Sequence, residues 1–148
     1  MDDCYSCQHN AAPDLPPREA VVRTDHWRVV HAFNSSLPGW LVLVPAEHVH
    51  AFDDLTADAT TEMGALVGDL SRALREVVGC EKTYLMQFSE APGFSHLHVH
   101  LVPRMPDQPE DRRGPAVFGY LGADESAWLP TEELDRVSRE IGHALVRP

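Results

Sequence analysis

The stretch "HLHVHLVPR", residues 96–104, decides how this 148-residue chain is interpreted, because histidine occupies every second position of an apolar run. Successive side chains of a β-strand point to opposite faces, so His96, His98 and His100 are predicted to lie on one face of a strand. A single histidine on such a strand is usually a surface residue. Three in alternation indicate chemistry, since a neutral imidazole can bind a metal or act as nucleophile or base near pH 7.

These histidines leave two kinds of chemistry open. A catalytic zinc site with three histidine ligands keeps one coordination position free for water. Consecutive same-face residues of a strand lie about 6.5–7 Å apart, however, so the three imidazoles cannot easily share one ion. A nucleophilic histidine would instead need a polar acceptor for its other ring nitrogen, and the sequence does not identify that acceptor.

Strand-like segments precede the histidine stretch along the chain. They are rich in β-branched and aromatic residues, and a hairpin turn is expected at Thr24 and Asp25. Pro45 is expected to end the third strand because proline lacks an amide donor. The five predicted strands cover residues 19–24, 26–33, 40–46, 82–88 and 96–102.

Two further segments have helical periodicity. Between Leu55 and Gly79 apolar residues recur at steps of three and four, with Thr56 as N-cap and Gly79 as C-terminal stop. A second helix is predicted after Pro130, with Thr131 as its cap. Strands, a helix and more strands without regular βαβ alternation predict an α+β fold, with an antiparallel five-stranded sheet, one long helix and a C-terminal helix.

Length and composition fit one domain. A chain of 148 residues that are 43% apolar can bury its own core. We therefore expect a single domain over residues 1–148. Within it, residues 1–18 form an N-terminal segment, and residues 104–148 form a Pro-, Gly- and charge-rich surface loop followed by the C-terminal helix.

The charge balance narrows the classes of partner. A net charge of -11 disfavours phosphate tracking along long nucleic acid. The sequence has neither the apolar core of a signal peptide nor a run of roughly 18 apolar residues that a membrane helix needs. We expect a cytoplasmic protein without membrane contact.

The cysteine pair in "CYSC", residues 4–7, has the spacing of half a zinc site. A thioredoxin-like redox pair would begin a helix after a strand, whereas a Pro-rich stretch follows here. Zinc-finger spacing also fails, because His48 and His50 are only two residues apart. Either the remaining ligands come from elsewhere in the fold, or Cys4 and Cys7 are reduced surface thiols.

Two segments together resemble the histidine triad (HIT) superfamily. "HLHVHLVPR" resembles its His-x-His-x-His signature, and "FNSSLPGWLVLVPAEHV", residues 33–49, resembles its Pro-Gly turn, apolar strand, proline and histidine. The resemblance covers roughly residues 20–104. It implies that His98 attacks the α-phosphorus of a nucleotide and that His100 faces the phosphate and the leaving group.

The same resemblance suggests substrate-binding residues. Asn34 matches the position that holds the ribose hydroxyls, and Gln87 matches a strand position that touches phosphate. The family's Gly-Gln-Ser-type stretch is replaced by a shortened "APGFS", where Ser95 is a further candidate for phosphate. With His100, these residues form the expected substrate site.

A zinc-containing bacterial type of the superfamily accounts for the cysteines. By resemblance the ligands are Cys4, Cys7, His48 and His96, and the zinc is structural. The implied activity is that of a nucleotide hydrolase acting on a dinucleoside polyphosphate, a nucleoside phosphoramidate or a similar conjugate. The alternatives are a nucleotidyltransferase and a catalytically silent nucleotide-binding module. A homodimer is expected by resemblance.

Overall fold

The structure, a computed structural model, describes residues 3–146 and has the predicted α+β architecture. Five strands and three α-helices form the framework, and short 3-10 segments connect them. In chain order the elements are α1 (Tyr5–Ala11), β1 (Val22–Arg23), β2 (Trp27–His31), β3 (Leu41–Pro45), α2 (Ala57–Val78), β4 (Lys82–Gln87), β5 (Val99–Arg104) and α3 (Thr131–Leu145). Within residues 3–146 no helix has both the length and the apolar character needed to cross a membrane.

All five strands join one antiparallel sheet in the order β1-β2-β3-β5-β4. Strand β5 therefore lies between β3 and β4, and His100 pairs with Val42 on one side and Met86 on the other. This central position holds the end of the histidine stretch rigidly, because both neighbouring strands bond to it.

The histidine strand begins later than its sequence pattern predicts. Strand β5 starts at Val99, where its ladder with β4 ends, so His96 and His98 lie in the segment before the strand. The backbone N–H of Leu97 donates to the carbonyl of Val49 at 2.7 Å instead of joining the ladder. The predicted strand over residues 96–102 is therefore wrong at its first three positions.

The predicted ends of the long helix α2 are confirmed. The Thr56 side chain accepts a hydrogen bond from the Ala59 amide, and Gly79 ends the helix with a φ of 73°, which glycine adopts without strain. One face of α2 packs on the sheet, where Leu70 and Leu74 are fully buried.

Three local expectations differ from the structure. Helix α3 begins at Thr131 with Pro130 as its N-cap, one residue earlier than predicted. The loop after residue 104 is not wholly exposed, because Val117 is buried with Trp40 and Val102 against the other face of the sheet. The cysteine pair does begin a helix, since Cys4 is the N-cap of α1, which ends before the Pro-rich stretch.

Candidate functional site

A cavity of about 400 Å³ opens beside the end of the histidine stretch. This volume falls in the range of small-molecule sites. Its wall includes His98 and His100, the predicted ribose ligand Asn34, and aromatic side chains that sequence analysis did not select, among them Tyr5 and Phe94. The cavity thus joins both candidate catalytic histidines to an apolar and aromatic surface.

His98 has one ring nitrogen fixed by the backbone. Its Nδ1 lies 2.9 Å from the carbonyl oxygen of His96. Because a carbonyl only accepts hydrogen bonds, the neutral form of this imidazole has its proton on Nδ1 and its lone pair on Nε2. The acceptor that sequence analysis could not identify is therefore the main chain two residues earlier.

His100 has the opposite tautomer. The indole Nε1–H of the fully buried Trp40 donates to His100 Nδ1 at 3.0 Å, so the imidazole proton must reside on Nε2. Burial, and then the charge of His98, lower the pKa of His100 to about 4. His100 is consequently neutral at pH 7 and offers an N–H, while the ring of His98 lies 5.2 Å away and offers a lone pair.

The cysteines and two histidines meet around His96, at the start of the histidine stretch. One ligand atom from each of Cys4, Cys7, His48 and His96 lies within 4.8 Å of every other. Three parts of the chain far apart in sequence supply them, namely α1, the segment after β3 and the segment before β5.

The spacing of these four donors fits a tetrahedral metal. Zinc at about 2.3 Å from sulfur and about 2.0–2.1 Å from nitrogen implies N–N and N–S edges of about 3.4 and about 3.6 Å. The Nδ1 atoms of His48 and His96 are 3.1 Å apart, and Cys7 Sγ lies 3.2 and 3.6 Å from them. Cys4 Sγ lies 3.5 Å from His96 Nδ1. The lone pairs of four such donor atoms repel one another at these distances unless a cation or protons lie between them.

Hydrogen bonding and burial leave these residues in a state suited to binding a metal. His96 Nε2–H donates to the carbonyl of Pro45 at 3.0 Å, which leaves Nδ1 as the ligand atom. Burial lowers the pKa of His96, so the imidazole is neutral as a ligand must be. Burial, and then the neighbouring Cys4, raise the pKa of Cys7, so metal binding there displaces a proton.

The other predicted substrate residues have different surroundings. Gln87 and Ser95 are not among the residues that line the cavity. Gln87 Nε2 instead donates to the hydroxyl of Ser89 at 3.0 Å, and Ser95 is exposed, with its carbonyl 3.2 Å from His50 Nδ1. Ser89 lines the cavity but was missed, because a serine in a loop has no distinguishing sequence pattern.

A buried polar group forms part of the cavity wall next to α1. The hydroxyl of Tyr5 donates to Glu19 at 2.9 Å, and Glu19 accepts from Arg28 at 3.0 Å. Burial, and then the charge of Glu19, raise the pKa of Tyr5 to about 12, so it remains a hydrogen-bond donor. Since Tyr5 lies between Cys4 and Cys7, the metal cluster and the cavity share one helix.

Comparisons with known proteins agree with this arrangement. The family model described as the HIT domain matches residues 16–107. A zinc-bound histidine triad family protein from Mycobacterium smegmatis is similar at 19% identity and a TM-score of 0.66, over 96% of this chain and 92% of that one. A hypothetical histidine triad nucleotide-binding protein from Sulfolobus tokodaii is similar at 15% identity and a TM-score of 0.72, over 96% and 91%.

A third similar structure is a HIT-like protein involved in cell-cycle regulation from Bartonella henselae, at 21% identity and a TM-score of 0.67, over 91% of this chain and 89% of that one. Identities at this level establish the shared fold and not the activity. The comparison with curated proteins gave no significant match.

Proposed function

Because the chain belongs to the HIT family, we propose that it is a nucleotide hydrolase that acts at an α-phosphorus through a nucleotidyl-histidine intermediate on His98. The observation that carries the proposal is the pair of opposite tautomers, with a lone pair on His98 Nε2 and a proton on His100 Nε2. The proposal takes residues 1–148 as one HIT-like domain, cytoplasmic and homodimeric, with a nucleotide conjugate as its partner.

In the first step His98 Nε2 forms a bond to phosphorus while the bond from phosphorus to the leaving group breaks. The imidazole becomes cationic, and its Nδ1–H donates more strongly to the His96 carbonyl as that charge develops. His100 donates its Nε2–H to an oxygen of the phosphate or leaving group and keeps its proton, because losing it would create an imidazolate. A phosphoanhydride leaves as an anion and needs no proton, so this geometry favours dinucleoside polyphosphates within the proposed class.

In the second step a water molecule attacks the same phosphorus and the bond to His98 Nε2 breaks. His98 returns to its neutral form, and the proton of the water passes to solvent as the nucleoside monophosphate ionises. Two displacements replace one difficult hydrolysis. Asn34, which lines the cavity, is the proposed ribose ligand, while Gln87 and Ser95 remain predictions as phosphate ligands.

The proposed cofactor is a structural zinc held by Cys4, Cys7, His48 and His96. Four protein ligands close the coordination sphere, so the ion would supply attachment of α1 to the histidine stretch and no bound water for chemistry. His98 and His100 stay outside this cluster. The phosphorus chemistry is therefore assigned to the chain's own imidazoles.

Hydrolysis of diadenosine tetraphosphate, followed by phosphorus NMR, tests the proposal. Wild-type protein should release AMP and ATP, and His98→Ala should abolish turnover while AMP binding and the folded state persist, because only the covalent route is lost. Mass spectrometry of a quenched reaction should find adenylate on wild-type protein.

Other outcomes would redirect the assignment. His98→Ala turnover within tenfold of wild type would contradict the nucleophile. Transfer of the nucleotide to an added phosphate in preference to water would identify a transferase. AMP binding without turnover of polyphosphates or phosphoramidates would identify a silent binding module.

A further inference from the structure

The Ser89 hydroxyl forms hydrogen bonds with both the N–H and the carbonyl of His98. The His98 N–H donates to Ser89 Oγ at 3.0 Å, and Ser89 Oγ–H donates to the His98 carbonyl at 3.3 Å. The ladder between β4 and β5 ends at the pair Gln87 and Val99, so His98 lies just outside it. A side chain thus replaces the strand partner that His98 lacks, and it satisfies both the backbone N–H and the C=O of His98.

The main chain at Ser89 is strained for a serine. Its φ of 58° makes it the only residue other than glycine with a left-handed backbone among residues 3–146. A side chain with a Cβ crowds the following carbonyl oxygen in this region, so such residues adopt it only at a cost in free energy. Strain of this kind persists where surrounding structure holds it, and it concentrates at functional sites.

The Ser89 hydroxyl has no hydrogen-bonding capacity left for a ligand. A serine hydroxyl offers one donor and two acceptor positions. The donor is used on the His98 carbonyl, and the acceptors take the His98 amide and Gln87 Nε2, the latter at 3.0 Å. Although Ser89 lines the cavity, its hydroxyl is therefore committed to protein atoms.

We propose that Ser89 is a positioning residue for the nucleophile, which orients His98 without binding the nucleotide. Gln87 supports this role by donating a hydrogen bond to the Ser89 hydroxyl. This inference rests on the proposed function for its kinetic consequence. The His98 ring is otherwise oriented by the His96 carbonyl, which belongs to the same segment outside the sheet. Without the hydroxyl that segment can shift as a unit, and a misplacement of about 1 Å can cost a reaction roughly a hundredfold.

Two substitutions separate positioning from general stability. Ser89→Ala removes the hydroxyl and keeps the strained backbone, while Ser89→Gly removes the hydroxyl and the strain together. Both should lower kcat for diadenosine tetraphosphate by roughly ten- to a hundredfold with little change in KM or in the Kd of AMP. The His98 amide should exchange with solvent faster in both, and Ser89→Gly should unfold at a temperature no lower than Ser89→Ala.

Ser71→Ala is the matched control, because Ser71 bonds to Thr83 at 3.0 Å on the opposite side of the sheet from the cavity residues named above. It should leave kcat and His98 exchange unchanged. Unchanged exchange of the His98 amide in both Ser89 variants would show that Ser89 does not hold the His98 backbone. Faster exchange with kcat within twofold of wild type would show that Ser89 has no role in catalysis. A rise in AMP Kd matching the loss of kcat would make Ser89 a binding residue and overturn the proposal.

The proposed function can fail separately from this inference. If wild-type protein turns over no nucleotide conjugate, the hydrolase proposal fails while amide exchange still decides whether Ser89 holds His98. If wild type is active and both Ser89 variants keep full kcat, the positioning role fails and the hydrolase proposal stands.

Discussion

His31 is a buried histidine that holds a turn in its neutral form. Its Nδ1–H donates to the Ala32 carbonyl at 2.9 Å, and its Nε2 accepts the Gly39 amide at 2.9 Å. A second ring proton would face the Gly39 N–H, so protonation breaks a buried hydrogen bond. Burial lowers the pKa of His31 to about 4. In its neutral form His31 therefore positions the Pro-Gly turn before β3.

This pKa predicts an acid-sensitive contribution to stability. The unfolded chain binds the His31 proton near pH 6.5, and the folded chain binds it only near pH 4. The free energy of unfolding should therefore fall as the pH is lowered through this window, by at most about 3 kcal/mol, and His31 should add no further loss below it. Urea unfolding across the window measures the slope.

His31→Gln is the control, because its amide can donate to Ala32 and accept from Gly39 without titrating. Subtracting its unfolding free energies from those of wild type cancels the contributions of the carboxylates and of the metal site. A difference that does not vary with pH would show that His31 titrates normally in the folded state.

At the scale of the element, helix α1 is expected to depend on the metal. Cys4 caps it and Cys7 lies in its first turn, while Tyr5 and Ser6 between them line the cavity. Purified protein should contain about one zinc per chain. Chelation or Cys4→Ser should lower the unfolding temperature, speed amide exchange in α1 and weaken AMP binding, because metal binding couples to folding.

Two variants distinguish this site from a catalytic zinc on the histidine stretch. Cys80→Ala removes a buried cysteine outside the cluster and should keep the zinc, as should His98→Ala. A zinc bound by His96, His98 and His100 would show the reverse, with metal lost in His98→Ala and retained after both cluster cysteines are replaced. Wild-type protein free of zinc, when purified reduced and without chelators, would count against both sites.

At the scale of the whole molecule, the open edge of the sheet predicts self-association. Strand β4 is an edge strand, and it exposes Leu85 by 50% of its surface. Unpaired strand edges with apolar side chains are sites of strand addition. We expect a homodimer joined at β4, with a mass by light scattering of twice 16.5 kDa.

Leu85→Lys should shift this protein toward the monomer, because a charge on an edge strand opposes pairing. Phe52→Lys is the matched control, since Phe52 is 40% exposed in a 3-10 segment outside the sheet. A monomeric wild-type protein at all concentrations, or equal loss of dimer in both variants, would contradict an interface at β4.

Much of the fold was predictable because its signals are local. The alternation at residues 96–100 identified the histidine stretch, and Thr56 and Gly79 identified both ends of α2, since capping and periodicity depend on neighbours along the chain. The family resemblance of residues 33–49 and 96–104 also depends only on order and spacing, and the family model confirms it. The short helix α1 lacked such a local signal. Its Asn10 side chain donates to the carbonyl of Pro45, a contact between segments far apart in sequence.

By itself the sequence determined which residue types are available for chemistry, and the tertiary structure decided how each is used. His96, His98 and His100 are alike in sequence, but a carbonyl fixes the proton of His98 on Nδ1 and an indole fixes that of His100 on Nε2. His96 turns to Cys4, Cys7 and His48 instead. The start of β5 at Val99 and the hydrogen bond between Ser89 and His98 are likewise set by tertiary contacts. Proton positions and ligand sets depend on atoms that meet only when distant segments fold together, and no periodicity along the chain encodes those meetings.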